Sequence, residues 1–427
     1  VSGALAAFAF GLAACGQLLD IPERRAVANV ADCSPESGCA CAPGFADCDG
    51  LLENGCEVDL LSGARCACEP RLWPQPPVGS DASSDPPIVF AMRSMTMEKG
   101  GAPVGYDLDQ NCSCSDDPES PCPCAEHCDC EPVPNAQNCI PPLAKRPVCD
   151  GANGVDNASL RLIKAAGSFA GLSLESWEEK LEQGNWSVLL SVRDYNRQPN
   201  DAKVEVAFLF ATEFDGDPCN GEGSKPKWDG TDRWPVRADG LEGTTSSPSA
   251  EACGDTLGLE LDQPLYVDRN AYVVDGTLVA EWPEAVMLNF SGSIGGLRVE
   301  LVQSVLTARI AQDGAPRPGE SENTWRLRDA VLGGRWSQGA IFKAVGAIQQ
   351  DSGQLCDQPA GILLAKSFVC PLLDVRVVPG GPTSTCDGMS FGFGFEAEQA
   401  ELGSVTNAAS GSSCDEAELE KVTCASN

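Results

Sequence analysis

The chain has 427 residues and a mass of 44.7 kDa, enough for two or three domains. With 29 basic against 62 acidic residues its net charge is −33, which excludes a nucleic-acid binder and an electrostatic binder of anionic membranes, because both need positive surface. A hydrophobic content of 42% supplies a packed core, and 23 cysteines beside one histidine point to an oxidising compartment.

Residues 1–14, VSGALAAFAFGLAA, are uncharged and largely apolar. They are too short to span a bilayer, which takes about 20 residues, and read as the apolar segment of a signal peptide. The run Leu12-Ala13-Ala14-Cys15 resembles the lipobox of bacterial lipoproteins, in which small residues lead into a cysteine. The resemblance implies that Cys15 is the diacylated first residue of the mature protein. In that family's sorting logic Gly16, standing where an aspartate would retain the protein, implies the outer membrane. Setting Cys15 aside leaves 22 of the 23 cysteines, an even number that can close completely as disulfides.

Cysteine density then divides the chain. Fourteen cysteines lie between Cys33 and Cys139 and only 8 from Cys149 onward, while 15 of the 31 prolines fall between Pro70 and Pro147. Residues 15–32 read as a tether, 33–68 as a cysteine-rich module, 69–111 as a proline-rich linker and 112–147 as a CxC-rich module. Such a front cannot bury an ordinary core, so disulfides take its place. Within 33–68, the pattern CAPGFADCDG followed by NGCE resembles a short cysteine-rich module of secreted myxobacterial proteins, although Cys66-Ala-Cys68 stands where a CGxC block is usual. In CSCSDDPESPCPCAEHCDC the thiols and His127 suit zinc, but the CxC spacing and the oxidising compartment favour disulfides.

The remaining chain, 148–427, is expected to be a β-rich globular domain. Leu160, Ile163, Lys164 and Phe169 have loosely helical spacing. Ser173 is a candidate N-cap for a helix carrying Leu174, Trp177 and Leu181, with Gly184 ending it. Two-residue alternation predicts strands at Trp186–Tyr195, Lys203–Thr212, Leu257–Leu261, Ala271–Ala280, Ala285–Phe290, Leu297–Ile310, Trp325–Leu332, Leu373–Val378 and Met389–Glu396. A later helix is predicted at Gln338–Gln350. The expected class is mainly β with a few helices: a disulfide-rich stalk followed by an antiparallel β-sandwich or barrel-like domain. The stretches DGANGVDNAS, YNRQPNDAKVEV, WDGTDRW and CDGMSFGFGF resemble the large domain of myxobacterial lipoproteins across residues 149–403, a likeness that implies no activity.

Chemistry is mostly excluded. Gly388-Met389-Ser390-Phe391-Gly392 matches a nucleophile elbow, but it lies in an alternating strand pattern with no histidine downstream. Glu396 and Glu398 share a strand face, which keeps a histidine-free glycoside hydrolase as the alternative to a binding or structural protein. Acidic loops are the better lead. Asp150, Asn153, Asp156 and Asn157 form one cluster; Asp215, Asp217, Asn220 and Glu222 form another, followed by Asp229 and Asp232. Oxygen donors without histidine suit Ca²⁺, and the same residues also build turns that hold no ion. Trp186, Trp228 and Trp234 are candidates for a sugar-stacking surface or for core packing. Nearest-neighbour arithmetic pairs Cys219 with Cys253, Cys356 with Cys370 and Cys414 with Cys424, leaving Cys149 for Cys386. The expected protein is anchored to the membrane by its lipid and meets a carbohydrate or protein ligand, with no nucleic acid.

Overall fold

Apolar residues at every second position form strands that bury one face, and a sheet with enough such strands removes its edges by closing on itself. That happens here. The computed structural model describes residues 30–34, 38–42, 45–46, 58–59, 66–67, 72–79, 86–109, 128–129, 139, 142, 150–151, 154–170, 174–214, 225–242, 264–290, 297–317, 319, 321–350, 353–358, 360–378, 385–406 and 414–424. Two compact units divide the chain at residue 66. In the first, Val30–Ser34 pairs antiparallel with Gly38–Cys41, and Phe45–Ala46 with Val58–Asp59.

The strands of the main sheet in the second unit are β1 (Ile88–Thr96), β2 (Ser187–Arg193), β3 (Asp201–Ala211), β4 (Arg233–Arg237), β5 (Tyr266–Val274), β6 (Thr277–Trp282), β7 (Val286–Phe290), β8 (Leu297–Ala311), β9 (Arg326–Ser337) and β10 (Gly388–Thr406). Eight of them close a ring in the order β2-β1-β10-β9-β8-β6-β5-β3 and back to β2, every pairing antiparallel. The unit is therefore an antiparallel eight-stranded β-barrel. β7 extends it along β8, and β4 lies parallel to the end of β10. The helices are α1 (Ala158–Ala170), α2 (Leu174–Glu182), α3 (Gln338–Gly346), α4 (Gly361–Val369) and α5 (Glu416–Glu420).

The barrel strands share one buried cluster on one face and belong to two separate clusters on the other, so the shared face is the lumen. Phe90, Leu190, Phe208, Leu278, Leu306, Leu332, Phe391 and Phe393 fill it, and helical residues such as Trp177, Leu181, Ile341 and Phe342 join the same cluster. Outside, Tyr272, Val279, Val305 and Val331 are covered by Val104, Tyr106 and Leu108. Segment 104–109 is thus a strap over the outer wall. Glycines make room for it: a Cβ at Gly392 would stand 2.4 Å from the Val104 carbonyl oxygen, and one at Gly333 would stand 2.6 Å from the Tyr106 ring.

Several expectations change. The stretch 69–111, read as a linker, contributes β1 to the barrel and the strap to its wall, so the second unit begins at Ala67 rather than at 148. Prolines misled here because they cluster at 74–77 and 86–87, beside the strand and not within it. The single strand predicted at Ala271–Ala280 is two, because Asp275 and Gly276 take φ values of 48° and 78° and reverse the chain. Leu373–Val378 makes only an isolated bridge, Val375 with Gly388. The cysteine pairing also differs: Cys386 bonds Cys139 and not Cys149, Cys356 bonds Cys414, and Cys370 bonds Cys424. Spatial proximity at the end of the barrel outweighs proximity in sequence. The signal segment, Cys15, His127, Cys149, Cys219, Cys253 and the predicted strand Leu257–Leu261 lie outside the described residues. Among the described residues no helix is long and apolar enough to cross a membrane.

Candidate cation centre

The strap reads Tyr106-Asp107-Leu108-Asp109, so in an extended chain both aspartates turn the same way while Tyr106 and Leu108 turn to the wall. Tyr106 is anchored by its hydroxyl, which donates to the Val331 carbonyl at 2.9 Å and lies 2.8 Å from Thr307 Oγ1. Asp156 arrives from the start of α1 and pairs with the strap as an isolated bridge, its N–H donating to the Tyr106 carbonyl at 2.9 Å. Asp156 Oδ2 accepts from the amides of Leu108 (2.7 Å) and Asp109 (3.3 Å). Asp107, Asp109 and Asp156 each present a carboxylate oxygen within 4.8 Å of the other two, and all three residues are buried.

The surroundings are also acidic. Asp374 is buried and accepts from the Ser390 amide at 2.7 Å and from the Ser390 hydroxyl. Asp150, half-buried, adds its negative field. Arg335 on β9 is buried as well, but its guanidinium donates to the carbonyls of Leu108 and Arg376 and so supports the strap's backbone. Burial first, and then the neighbouring aspartates, push the Asp109 carboxyl up to about 8. Burial holds Asp156 well above the usual carboxylate range, with Asp150 the next cause. Asp374 is pushed up to about 7 by burial against the opposing hydrogen bonds from Ser390. Burial lowers the Arg335 guanidinium, and Asp156 and Asp109 work against that. Five acidic groups around one guanidinium therefore have two ways to lower their energy further: take up protons, or take up a metal ion. The donors are all oxygen, which suits a hard divalent cation.

Of the first acidic loop predicted from sequence, Asp156 is in this centre and Asp150 beside it. Asn157 serves the backbone: its Oδ1 accepts from Ser159 Oγ and, at 3.3 Å, from Leu160 N, while its Nδ2 donates to the carbonyls of Val104 (2.7 Å) and Gly392 (2.8 Å). Asn153, Asp215, Asp217, Asn220 and Glu222 lie outside the described residues. Asp229 and Asp232 close a turn, Asp232 accepting from the amides of Lys227 (2.8 Å) and Trp228 (2.6 Å). Asp107, Asp109, Asp374 and Arg335 were missed by sequence reasoning. The D-x-D spacing of the strap is the available signal, masked by the proline-rich composition around it.

The other candidates are occupied structurally. Ser390 is fully buried on β10, where its Oγ also accepts from Ala158 N at 2.8 Å, so it ties strand, helix and Asp374 together. Glu398 lies between Arg93 (3.4 Å) and Arg326 (2.5 Å), and Glu396 accepts from the Asp329 amide at 3.1 Å beside Arg328. These contacts make an ion-pair network across β1, β9 and β10. Trp186 and Trp234 are core residues, and partly buried Trp228 has Arg93 over its ring at 5.8 Å, so the three do not form one exposed stacking face. Compared with protein-family models, with curated proteins and with solved structures, the chain matches none.

Proposed function

We propose that this chain is an extracytoplasmic surface protein, anchored to a bacterial outer membrane through a lipid on Cys15, with a binding or structural role toward a carbohydrate or protein ligand. The observation that supports it is the way the barrel unit is stapled. Among the described residues three bridges staple it, Cys139–Cys386 across 247 positions and Cys356–Cys414 and Cys370–Cys424 within its C-terminal portion, a covalent reinforcement that suits an oxidising environment. The cysteine-rich module ahead of Ala67 then serves as a spacer in the chain between the lipidated cysteine and the barrel unit. The strongly acidic balance of −33 keeps such a surface soluble and repels anionic partners. Fractionation of cells expressing the full chain tests the anchor: wild type should partition with outer membranes and Cys15→Ser should be released or remain unprocessed. Equal membrane association of both forms would overturn the anchor. For the binding role, the purified chain is applied to a glycan array in parallel with a hydrolysis screen. Retention without turnover supports a binding protein, whereas turnover lost in Glu396→Gln or Glu398→Gln would replace it with a glycoside hydrolase.

A further inference from the structure

We propose that Asp107, Asp109 and Asp156 bind one Ca²⁺ ion, and that this ion fastens the strap to the outer wall of the barrel. The inference is independent of how the protein is anchored. It rests first on the cluster of three buried carboxylates, whose oxygens lie within 4.8 Å of one another. Buried carboxylates have lost their water, and hydrogen-bond donors, protons or a cation must replace what water did for them. A second observation comes from Asp156 itself. One of its oxygens is satisfied by the Leu108 and Asp109 amides, but the other, Oδ1, is buried with no hydrogen bond in a residue only 1% exposed. A buried acceptor of that kind ordinarily has a partner, and a metal ion is the partner that also answers the excess negative charge.

The class of ion follows from the donors. All three are carboxylates, with neither imidazole nor thiolate among them, which disfavours zinc, copper and nickel. Mg²⁺ gives up its hydration water reluctantly and demands a near-octahedral shell, whereas Ca²⁺ takes six to eight oxygens in irregular arrangements and accepts bidentate carboxylates. Three aspartates with exposures of 1%, 5% and 1% offer many oxygens and little access to water. That combination favours Ca²⁺. The ligands also come from two separate places, the strap and the residue leading into α1, so binding draws those segments together as their backbone bridge already does.

The test uses the full oxidised chain. Wild type and the Asp107→Asn, Asp109→Asn double variant are stripped with chelator and titrated with CaCl₂ by calorimetry, with MgCl₂ as comparison. The double variant should bind one Ca²⁺ fewer per chain, and Mg²⁺ should bind at least tenfold more weakly. Equal stoichiometry in the two proteins would overturn the site, whatever other loops of the chain bind. Hydrogen exchange reads the fastening separately: the Leu108 and Asp109 amides should exchange at least tenfold more slowly with Ca²⁺ in wild type, and unchanged exchange would refute the clamp. If the double variant does not fold, wild type alone decides through terbium. Tyr106 adjoins the site and stacks edge-on with Trp73 at 5.6 Å, so bound Tb³⁺ should luminesce on excitation of the aromatic rings and be displaced by Ca²⁺. Absence of Ca²⁺-displaceable luminescence would count against the proposal.

Discussion

Replacing Cys139 and Cys386 together with alanine opens the longest disulfide loop among the described residues, 247 residues in sequence. The bridge ties Cys139 to Cys386, two residues before β10 begins at Gly388. For a loop of that length the chain-entropy relation gives about 18.5 cal/mol/K, or about 5.5 kcal/mol at 298 K. Residual structure in the unfolded chain reduces the figure, while removing two buried sulfur atoms adds about 1 kcal/mol of lost packing. The expected loss is therefore about 3–5 kcal/mol. Urea denaturation under non-oxidising, non-reducing conditions measures it, followed by fluorescence of the buried Trp186 and Trp336. Because the effect acts on the unfolded ensemble, the dependence of stability on urea should steepen as the denatured chain gains exposed surface. A loss below about 1 kcal/mol with an unchanged slope would refute the argument.

In chelator, thermal stability should fall as pH rises from 5 to 8.5. Burial holds Asp109 and Asp374 up to about 8 and about 7, so the fold keeps protons that the unfolded chain has already released. That contribution is complete below the ordinary carboxylate range and is lost as pH climbs through the raised values, and a flat calorimetric profile would contradict it. Gly392→Ala should destabilise by about 1–3 kcal/mol, because its Cβ would meet strap backbone at Val104 and Gly105, and limited proteolysis should then cut near 104–109 sooner. An unaffected cleavage rate would place the strap elsewhere. Asn157→Ala should cost about 2–4 kcal/mol in thermal unfolding through the lost cap of α1 and two buried carbonyls left unpaired. Asn157→Asp should not rescue it, since it restores the cap but not the donors and adds charge beside the acidic centre.

The strands were legible where one face met core and the other did not. Leu297, Val299 and Leu301 alternate with Arg298 and Glu300, and β8 follows that pattern. Helix α2 was legible from Trp177 and Leu181, both buried, and from Gly184, whose φ of 84° ends it. α4 escaped notice because Gly361 and the adjacent pair Leu363 and Leu364, both exposed, blur its periodicity. The acidic centre was half legible. Asp156 stands in a loop that reads as oxygen-rich, but its partners lie 47 to 49 positions earlier, and no local pattern joins residues brought together by a strap crossing a barrel. Arg335 and Asp374 were beyond reach for the same reason: their roles come from the pairing of β9 with β10, with Arg335 opposite Ser390.

The ring order has a consequence for how this molecule comes to exist. β1 is among the first parts of the barrel to be synthesised, yet one of its two neighbours, β10, is among the last. Arg93 on β1 and Glu398 on β10 form an ion pair across 305 residues. The barrel has no closed intermediate: until Gly394–Ala400 has emerged, β1 offers an unpaired edge to whatever is nearby. Cys139 likewise waits for Cys386 while nearer thiols compete for it. A holdase that shields the first strand and an isomerase that reshuffles early cross-links should therefore raise the yield of folded protein. Expression hosts should differ in yield according to those helpers.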